Sequence, residues 1–372
     1  MDTEKPATPS SNVPIQPVLP APPPETGTKK SKRKLLIIIT VMVLIIAAII
    51  TGWLLKKSSN SSPPLSDKAY SGPVENIKIG NVGEYSIFNL IAKDKGYFTK
   101  YGLNAEIKEY ASGPPAVTDL LGDKVDFAIA ADFVGVNNIF SHNDLRILTQ
   151  VSDQKAFSLV ALKDKGITKP ADLKGKKIGV TKKGAGEFFL LRFLSLNGLN
   201  TSDITVLDEA PPDMVSQITN SQIDAVVIFD PHVYNLQKTL ADKVVVWSVQ
   251  GNLRTAALSY STVDYIQAHH EIVNRYLSAL LEAETFLRHN DKESRSILAK
   301  SLKYDSAYVD HIWPNINFEI GLHQELLLAM EDEARFVIEN KGTNQTQVPN
   351  YLDFIYFDGL EKIKPDAADI IH

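Results

Sequence analysis

The sequence predicts an α/β protein of two similar lobes facing a cleft, preceded by one transmembrane helix. Three observations carry this. The first is an internal echo: Ile79-Gly80, Gly102-Leu103-Asn104, Pro114-Pro115 and Val125-Asp126-Phe127-Ala128 return in the same order as Ile178-Gly179, Gly198-Leu199-Asn200, Pro211-Pro212 and Ile223-Asp224-Ala225-Val226, displaced by 96 to 99 positions. Two copies of one strand-and-helix unit are too few for a solenoid and suit paired lobes, between which ligands tend to bind. The second is that each copy alternates short strand-like runs with helical periodicity, which implies mainly parallel strands with right-handed crossovers. The third is the uncharged apolar run from Leu35 to Leu55, 21 residues long, which at about 1.5 Å per residue spans a hydrocarbon core of roughly 30 Å.

The chain opens with a stretch rich in Pro, Ser and Thr through residue 28 and then Lys29, Lys30, Lys32, Arg33 and Lys34. Such composition buries too little apolar surface to offset chain entropy, so residues 1–34 are expected to be a disordered tail with a basic end. Five basic residues before the apolar run, against Lys56 and Lys57 after it, put the N-terminus in the cytoplasm and the remainder outside. The competing reading is a cleaved secretory signal, whose apolar region is shorter and ends at a small-residue site; here Trp53-Leu54-Leu55 follows. Both readings export the lobes. Residues 56–74, with Ser58-Ser59, Ser61-Ser62 and Pro63-Pro64, are expected to form a flexible linker.

In the first copy, Ile77 to Gly80 alternates as a strand, and Phe88, Ile91, Ala92 and Lys95 repeat at helical spacing before Gly96. Asn104 to Tyr110 alternates again, Pro115 suits a helix first turn, and Phe127 to Ala130 reads as a strand covered on both faces. The second copy repeats this with strands at Lys177–Val180, Ile204–Leu207 and Ala225–Ile228 and helices at Glu187–Asn197 and Asp213–Asn220. After Val244 to Trp247 the pattern is helical almost to the end, notably from Val263 through Phe286. The expected division is residues 75–165 and 257–372 for the first lobe and 166–256 for the second, with hinges near Leu159–Lys169 and Gly251–Ser259.

The formal net charge of −5 combines a basic N-terminal region with an acidic remainder and offers no nucleic-acid surface. The absence of cysteine excludes disulfides, thiolate metal sites and a cysteine nucleophile. His269-His270 point to different sides of a helix, which argues against a metal pair. No Gly-x-Ser-x-Gly elbow is present, so no catalytic residue is assigned, and no cofactor or metal is expected.

Ligands of open α/β sheets lie beyond the carboxyl ends of strands, where helix N-termini present free N–H groups. This selects Glu84, Tyr85, Gly113, Asp132 and Phe133 from the first copy, and Lys182, Gly184, Gly186, Phe229, Asp230 and His232 from the second. Asp132 and Asp230 each precede a helix, so N-capping and ligand contact stand as alternatives for both. Gly184-Ala185-Gly186 allows close backbone approach to an anionic oxygen, or forms a simple tight turn. The dinucleotide fingerprint fails, because Phe189 stands where its third glycine belongs. Basic residues and a helix N-terminus suit an anion, whereas Glu84, Asp132 and Asp230 suit an amine or ring N–H donors. A zwitterion or an amino-substituted heterocycle reconciles the two, and Tyr85, Phe133 and Phe229 could stack on a flat ring or encircle a cation.

Lys95-Gly96-Tyr97-Phe98, Tyr101-Gly102-Leu103, Val125-Asp126-Phe127-Ala128 and Ala171-Asp172-Leu173-Lys174-Gly175-Lys176-Lys177-Ile178-Gly179-Val180 together resemble the SsuA/THI5-like (NMT1) group of substrate-binding proteins over roughly residues 77 to 290. The resemblance implies the type II periplasmic binding protein fold and service to an ABC importer for taurine, alkanesulfonates, nitrate or thiamine-precursor pyrimidines. Phe229-Asp230-Pro231 resembles the group's aromatic–acid–Pro turn, commonly Trp-Glu-Pro, with Phe and Asp replacing Trp and Glu. Enzymatic relatives that make thiamine pyrimidine carry a cysteine-rich motif, which this chain lacks. The expected protein is therefore a monomeric, membrane-anchored, extracytoplasmic solute-binding protein partnered by an ABC permease, binding a zwitterionic, sulfonate or aminopyrimidine-like ligand. The alternatives are a ligand-binding sensor of the same fold and an enzyme related to thiamine-pyrimidine chemistry.

Overall fold

The computed structural model describes residues 69–372 together with Met42. The expected tail, the anchor at 35–55 apart from Met42, and the linker as far as residue 68 lie outside the described residues. No helix among the described residues is long and apolar enough to cross a membrane.

The strands are β1 (Glu75–Asn81), β2 (Leu103–Glu109), β3 (Phe127–Ala131), β4 (Leu145–Gln154), β5 (Ser158–Leu162), β6 (Lys177–Val180), β7 (Thr205–Asp208), β8 (Ala225–Ile228), β9 (Val244–Ser248), β10 (Thr255–Thr262) and β11 (Ile316–Gly321). They form two sheets, ordered β2-β1-β3-β10-β4-β11 and β7-β6-β8-β5-β9. The internal echo is a real repeat of register. Ile79 lies opposite Ile107 and Phe127, and its counterpart Ile178 lies opposite Val206 and Ala225. The recurring aspartates do the same local work. Asp126 Oδ2 accepts the Lys78 N–H at 2.7 Å, and Asp224 Oδ2 accepts the Lys177 N–H at 2.8 Å.

Three expectations are corrected. Pairing is parallel only within β2-β1-β3 and β7-β6-β8; every pair made by β4, β5, β9, β10 and β11 is antiparallel. The region after Trp247 is not uniformly helical, because β10 and β11 both complete the first sheet. Ser158–Leu162, assigned to the first lobe from sequence, pairs with β8 and β9 in the second. The outward crossing between lobes is thus residues 155–157 rather than Leu159–Lys169, and the return crossing is 249–254.

The C-terminal helices pack on the first lobe. On the helix His270–His289, Tyr276 stacks on Phe127 with ring centroids 3.9 Å apart, and Phe286 meets Tyr97 edge-on. The helix is apolar on that face and is held at its polar margin by Glu284, which pairs with Arg288 and Lys364 and accepts the Ile320 N–H. The last segment reaches β4, where the Tyr356 N–H donates to the Ile147 carbonyl at 2.9 Å.

Candidate functional site

The strands of both repeats point their carboxyl ends toward the gap between the lobes, so the loops that follow them face one another. A small cavity of about 40 Å³ lies there. From the first lobe it is lined by Val82 and Tyr85 after β1, Ser112 and Gly113 after β2, and Ala131 at the end of β3. From the second come Thr181, Gly184 and Gly186 after β6 and Phe229 after β8, with Phe157 of the outward crossing between them.

Two helix N-termini meet at this cavity. Gly113–Leu121 begins with prolines in its first turn and Ala185–Leu196 begins after Gly184; neither Ser112 nor Gly184 gives a side-chain cap bond. Pro114 and Pro115 carry no N–H and the Glu187 N–H already bonds the Gly184 carbonyl, so the N–H groups of Gly113, Ala185 and Gly186 are the ones left for water or a ligand. The ends nearly touch, since a Cβ on Gly184 would lie 3.7 Å from Pro114 Cγ. The turn before the second helix is fixed by backbone donors: Lys182 N–H bonds Asp208 and Lys183 N–H bonds Glu187, leaving both lysine side chains exposed.

Beside the cavity, and sharing Val82, Tyr85 and Phe229 with it, a mouth of about 570 Å³ is lined by Glu84, Glu109, Asp230, His232, Lys303 and Tyr304 among others. Glu84 is only 2% exposed. Its Oε2 accepts the Tyr304 hydroxyl at 3.4 Å, and the Gln154 side-chain amide stands beside the carboxyl as a further donor. Burial raises its pKa to about 7, and the Asp230 charge acts in the same direction. Asp230 caps the following helix by accepting the Tyr234 N–H at 3.1 Å, and burial raises its carboxyl too. Burial lowers the pKa of His232, which keeps its ring neutral at pH 7. The Asp230–Pro231 peptide bond is cis.

Eight of the eleven residues selected from sequence line the cavity or its mouth: Glu84, Tyr85, Gly113, Gly184, Gly186, Phe229, Asp230 and His232. Three lie elsewhere. Asp132 is the first residue of the helix Asp132–Ile139, after the cap Ala131, and spends both carboxylate oxygens on backbone, accepting the neighbouring Phe133 N–H and the Ala256 N–H of β10. Phe133 packs at 5.2 Å on Phe188 of the opposite lobe, away from the cavity wall. Lys182 points to solvent. Sequence reasoning missed Phe157, Tyr304 and Met214. Phe157 joins the site because it lies on the crossing itself, where its ring meets both Phe189 and Phe229 at 5.4 Å.

Two lobes of repeated topology, joined by two crossings and enclosing a cavity at their strand ends, define the architecture of a solute-binding protein. The NMT1/THI5-like family model matches residues 84–294, and the chain belongs to that family. A protein of Brucella abortus named as a binding protein is 27% identical over 239 residues, covering 63% of this chain and 74% of its own length. A Bacillus subtilis protein named for binding aliphatic sulfonates is 25% identical over 262 residues, covering 69% of this chain and 79% of its own. In structure, the chain is similar to the alkanesulfonate-binding protein SsuA of Xanthomonas axonopodis pv. citri bound to MOPS, with a TM-score of 0.65, 21% identity, and coverage of 77% of this chain and 99% of that one. At that identity the likeness is one of fold.

Proposed function

We propose that this chain is the extracytoplasmic solute-binding protein of an ABC importer, tethered by the apolar segment at residues 35–55, which captures a small polar ligand between its lobes. The observation that carries the reading is the interlobe cavity to which both repeats contribute the ends of equivalent strands. Zwitterionic, sulfonate and aminopyrimidine-like compounds are the classes considered, with an anionic or hydrogen-bond-accepting end at the helix starts of Gly113 and Gly184–Gly186. Ligand bound to both lobes stabilises the closed arrangement, and a permease that recognises closure would accept cargo only from loaded protein. The membrane anchor, the monomeric state and the permease partner belong to the same proposal.

The test is mass spectrometry of small molecules released on denaturing the full chain purified from its own membrane, followed by calorimetric titration with each compound found. A stoichiometric, chemically unchanged compound supports a binding protein. Its conversion during incubation would move the reading to an enzyme, and the absence of any bound or titrating compound would overturn the solute-binding reading.

A further inference from the structure

We propose that the C-terminal helices clasp the second lobe against the first through two aromatic contacts outside the interlobe cavity, and that both must release before cargo can enter. The inference rests on the solute-binding reading above for what enters, while the clasp itself is a property of this chain alone. On one side Phe188, from the helix Ala185–Leu196 of the second lobe, meets Phe133 at 5.2 Å and Phe336 edge-on at 5.0 Å, the latter from the helix Gln324–Glu339. On the other side Tyr234, from the helix His232–Leu240 of the second lobe, meets Tyr308 at 5.3 Å and His311 at 5.2 Å, both from the helix Ser306–Ile312. That last helix belongs with the first lobe, because Tyr308 and Ile312 share a core with Ile316 of β11. Phe133, Phe188 and Tyr308 are all buried, so both contacts are closed to water.

The two contacts grip opposite faces of the second sheet. Along β5, Leu159 and Ala161 pack in the same core as Phe188, whereas Val160 and Leu162 pack with Val233 and Leu236 from the helix that carries Tyr234. Alternate residues of a strand face opposite sides of its sheet, so the helices bearing Phe188 and Tyr234 lie on different sides. Each ring stands within the opening four residues of a helix that begins at the cleft. A rotation about the crossings that opens the cleft carries these helix starts away from the first lobe and separates both contacts. None of Phe188, Phe336, Tyr234 and His311 lines the cavity or its mouth, so the closing energy they supply does not depend on cargo. The cavity left between the strand ends, about 40 Å³, has room for little more than water.

Tyr308, His311 and Phe336 all lie beyond residue 294, where the family match ends. The clasp is thus built by the C-terminal part of this chain. An aromatic pair favours the arrangement that contains it by about two- to tenfold, and contacts that share no residue contribute independently. Because cargo enters only the open form, its association slows in proportion to the time the free chain spends clasped.

The absence of cysteine allows one spin label on each lobe of the full chain, through Glu106→Cys and Asp242→Cys at exposed positions, and pulsed electron resonance measures the distance between them with no compound added. The expected result is chiefly the short distance of the clasped arrangement in the parent. Tyr234→Ala and Phe336→Ala should each lower the ratio of short to long distances by about two- to tenfold, and the double variant by the product. Both rings are half-buried, so the fold persists without them, checked by cooperative thermal unfolding of each variant. Tyr234→Phe, which keeps its ring, should retain the parent's distribution. A chiefly long distance in the parent, an unchanged distribution in the folded double variant, or an equal shift in Tyr234→Phe would overturn the clasp. The solute-binding reading falls separately, on the absence of any compound released from or titrating the chain, a result that leaves these distances as they are.

Discussion

Phe157 donates its N–H to Gln250 Oε1 at 2.8 Å, tying the last residue of the outward crossing to the return crossing 93 positions later. The same oxygen accepts the Ala156 N–H at 2.6 Å, and the amide nitrogen donates to the Gln154 carbonyl and Thr255 Oγ1. One buried side chain thus satisfies the backbone where both strands leave a sheet. Gln250→Ala leaves two buried donors without partners, and each such loss costs about 1–3 kcal/mol. Urea denaturation should show a lowered midpoint, and small-angle scattering a broader distribution of lobe separations.

Gly184 has a φ of −100°, which any residue adopts, but it faces Pro114 across the lobes. Gly184→Leu should therefore prop the cleft, and its Cβ would also press on the Thr181 carbonyl at 3.2 Å within its own turn. Ligand affinity should fall by more than tenfold, about 1.4 kcal/mol or more, while the thermal midpoint in the absence of ligand falls only slightly.

Glu84→Ala and Asp230→Ala should each weaken binding of the natural cargo by about 1–3 kcal/mol, the range for hydrogen bonds to charged groups. Calorimetry of both variants checks this. Unchanged affinity in both would remove these residues from the site.

The stability of the free chain should fall as pH rises. A carboxyl with a higher pKa in the folded chain than in the unfolded one binds its proton more tightly when folded, so its contribution is full at low pH and is lost as pH climbs to the folded value. For Glu84 that window runs from 4.5 to about 7, and for Asp132 from 3.8 to about 7. Glu84→Gln should match the parent near pH 4 and exceed it in thermal midpoint at pH 8, although it binds cargo less well. Midpoints measured across this range test the sign.

Asp126 and Asp224 offer a matched pair. Each also donates its own N–H to the carbonyl of the lysine whose N–H it accepts, at 2.8 and 3.0 Å. Replacing either by Ala should cost about 1 kcal/mol, and the two losses should be similar by chemical denaturation.

The parallel half of each sheet was legible because its residues carry local signals: apolar runs such as Phe127–Ala131, prolines opening helices, and a repeated order. β10 was missed because its sequence, Thr255-Ala256-Ala257-Leu258-Ser259-Tyr260-Ser261-Thr262, is mostly small residues without alternation, and every one of them is buried. Its strand character comes from its neighbours on both sides rather than from its own propensity. β5 was placed in the wrong lobe for a related reason. The run Leu159–Leu162 announces a buried strand, but sheet membership is settled by distant partners. Of the site, the residues following strands in the repeat were found by position alone. Tyr304 was out of reach, since its hydroxyl meets Glu84 across 220 residues of sequence. Asp132 carried the same sequence signal as Asp230, and only the position of Ala256 decides that its second oxygen is already used.

The central place of β10 has a consequence for biogenesis. The second sheet is complete once Val244–Ser248 has been made, whereas β3 and β4 keep open edges until Thr255–Thr262 arrives to join them. Emerging from the N-terminus, the chain therefore finishes its inserted lobe first and carries two unsealed sheet fragments meanwhile. Open edges of this kind pair readily with other chains. A premature stop between residues 248 and 255 would yield one sound lobe attached to an aggregation-prone half, a hazard that chaperones acting during synthesis would have to cover.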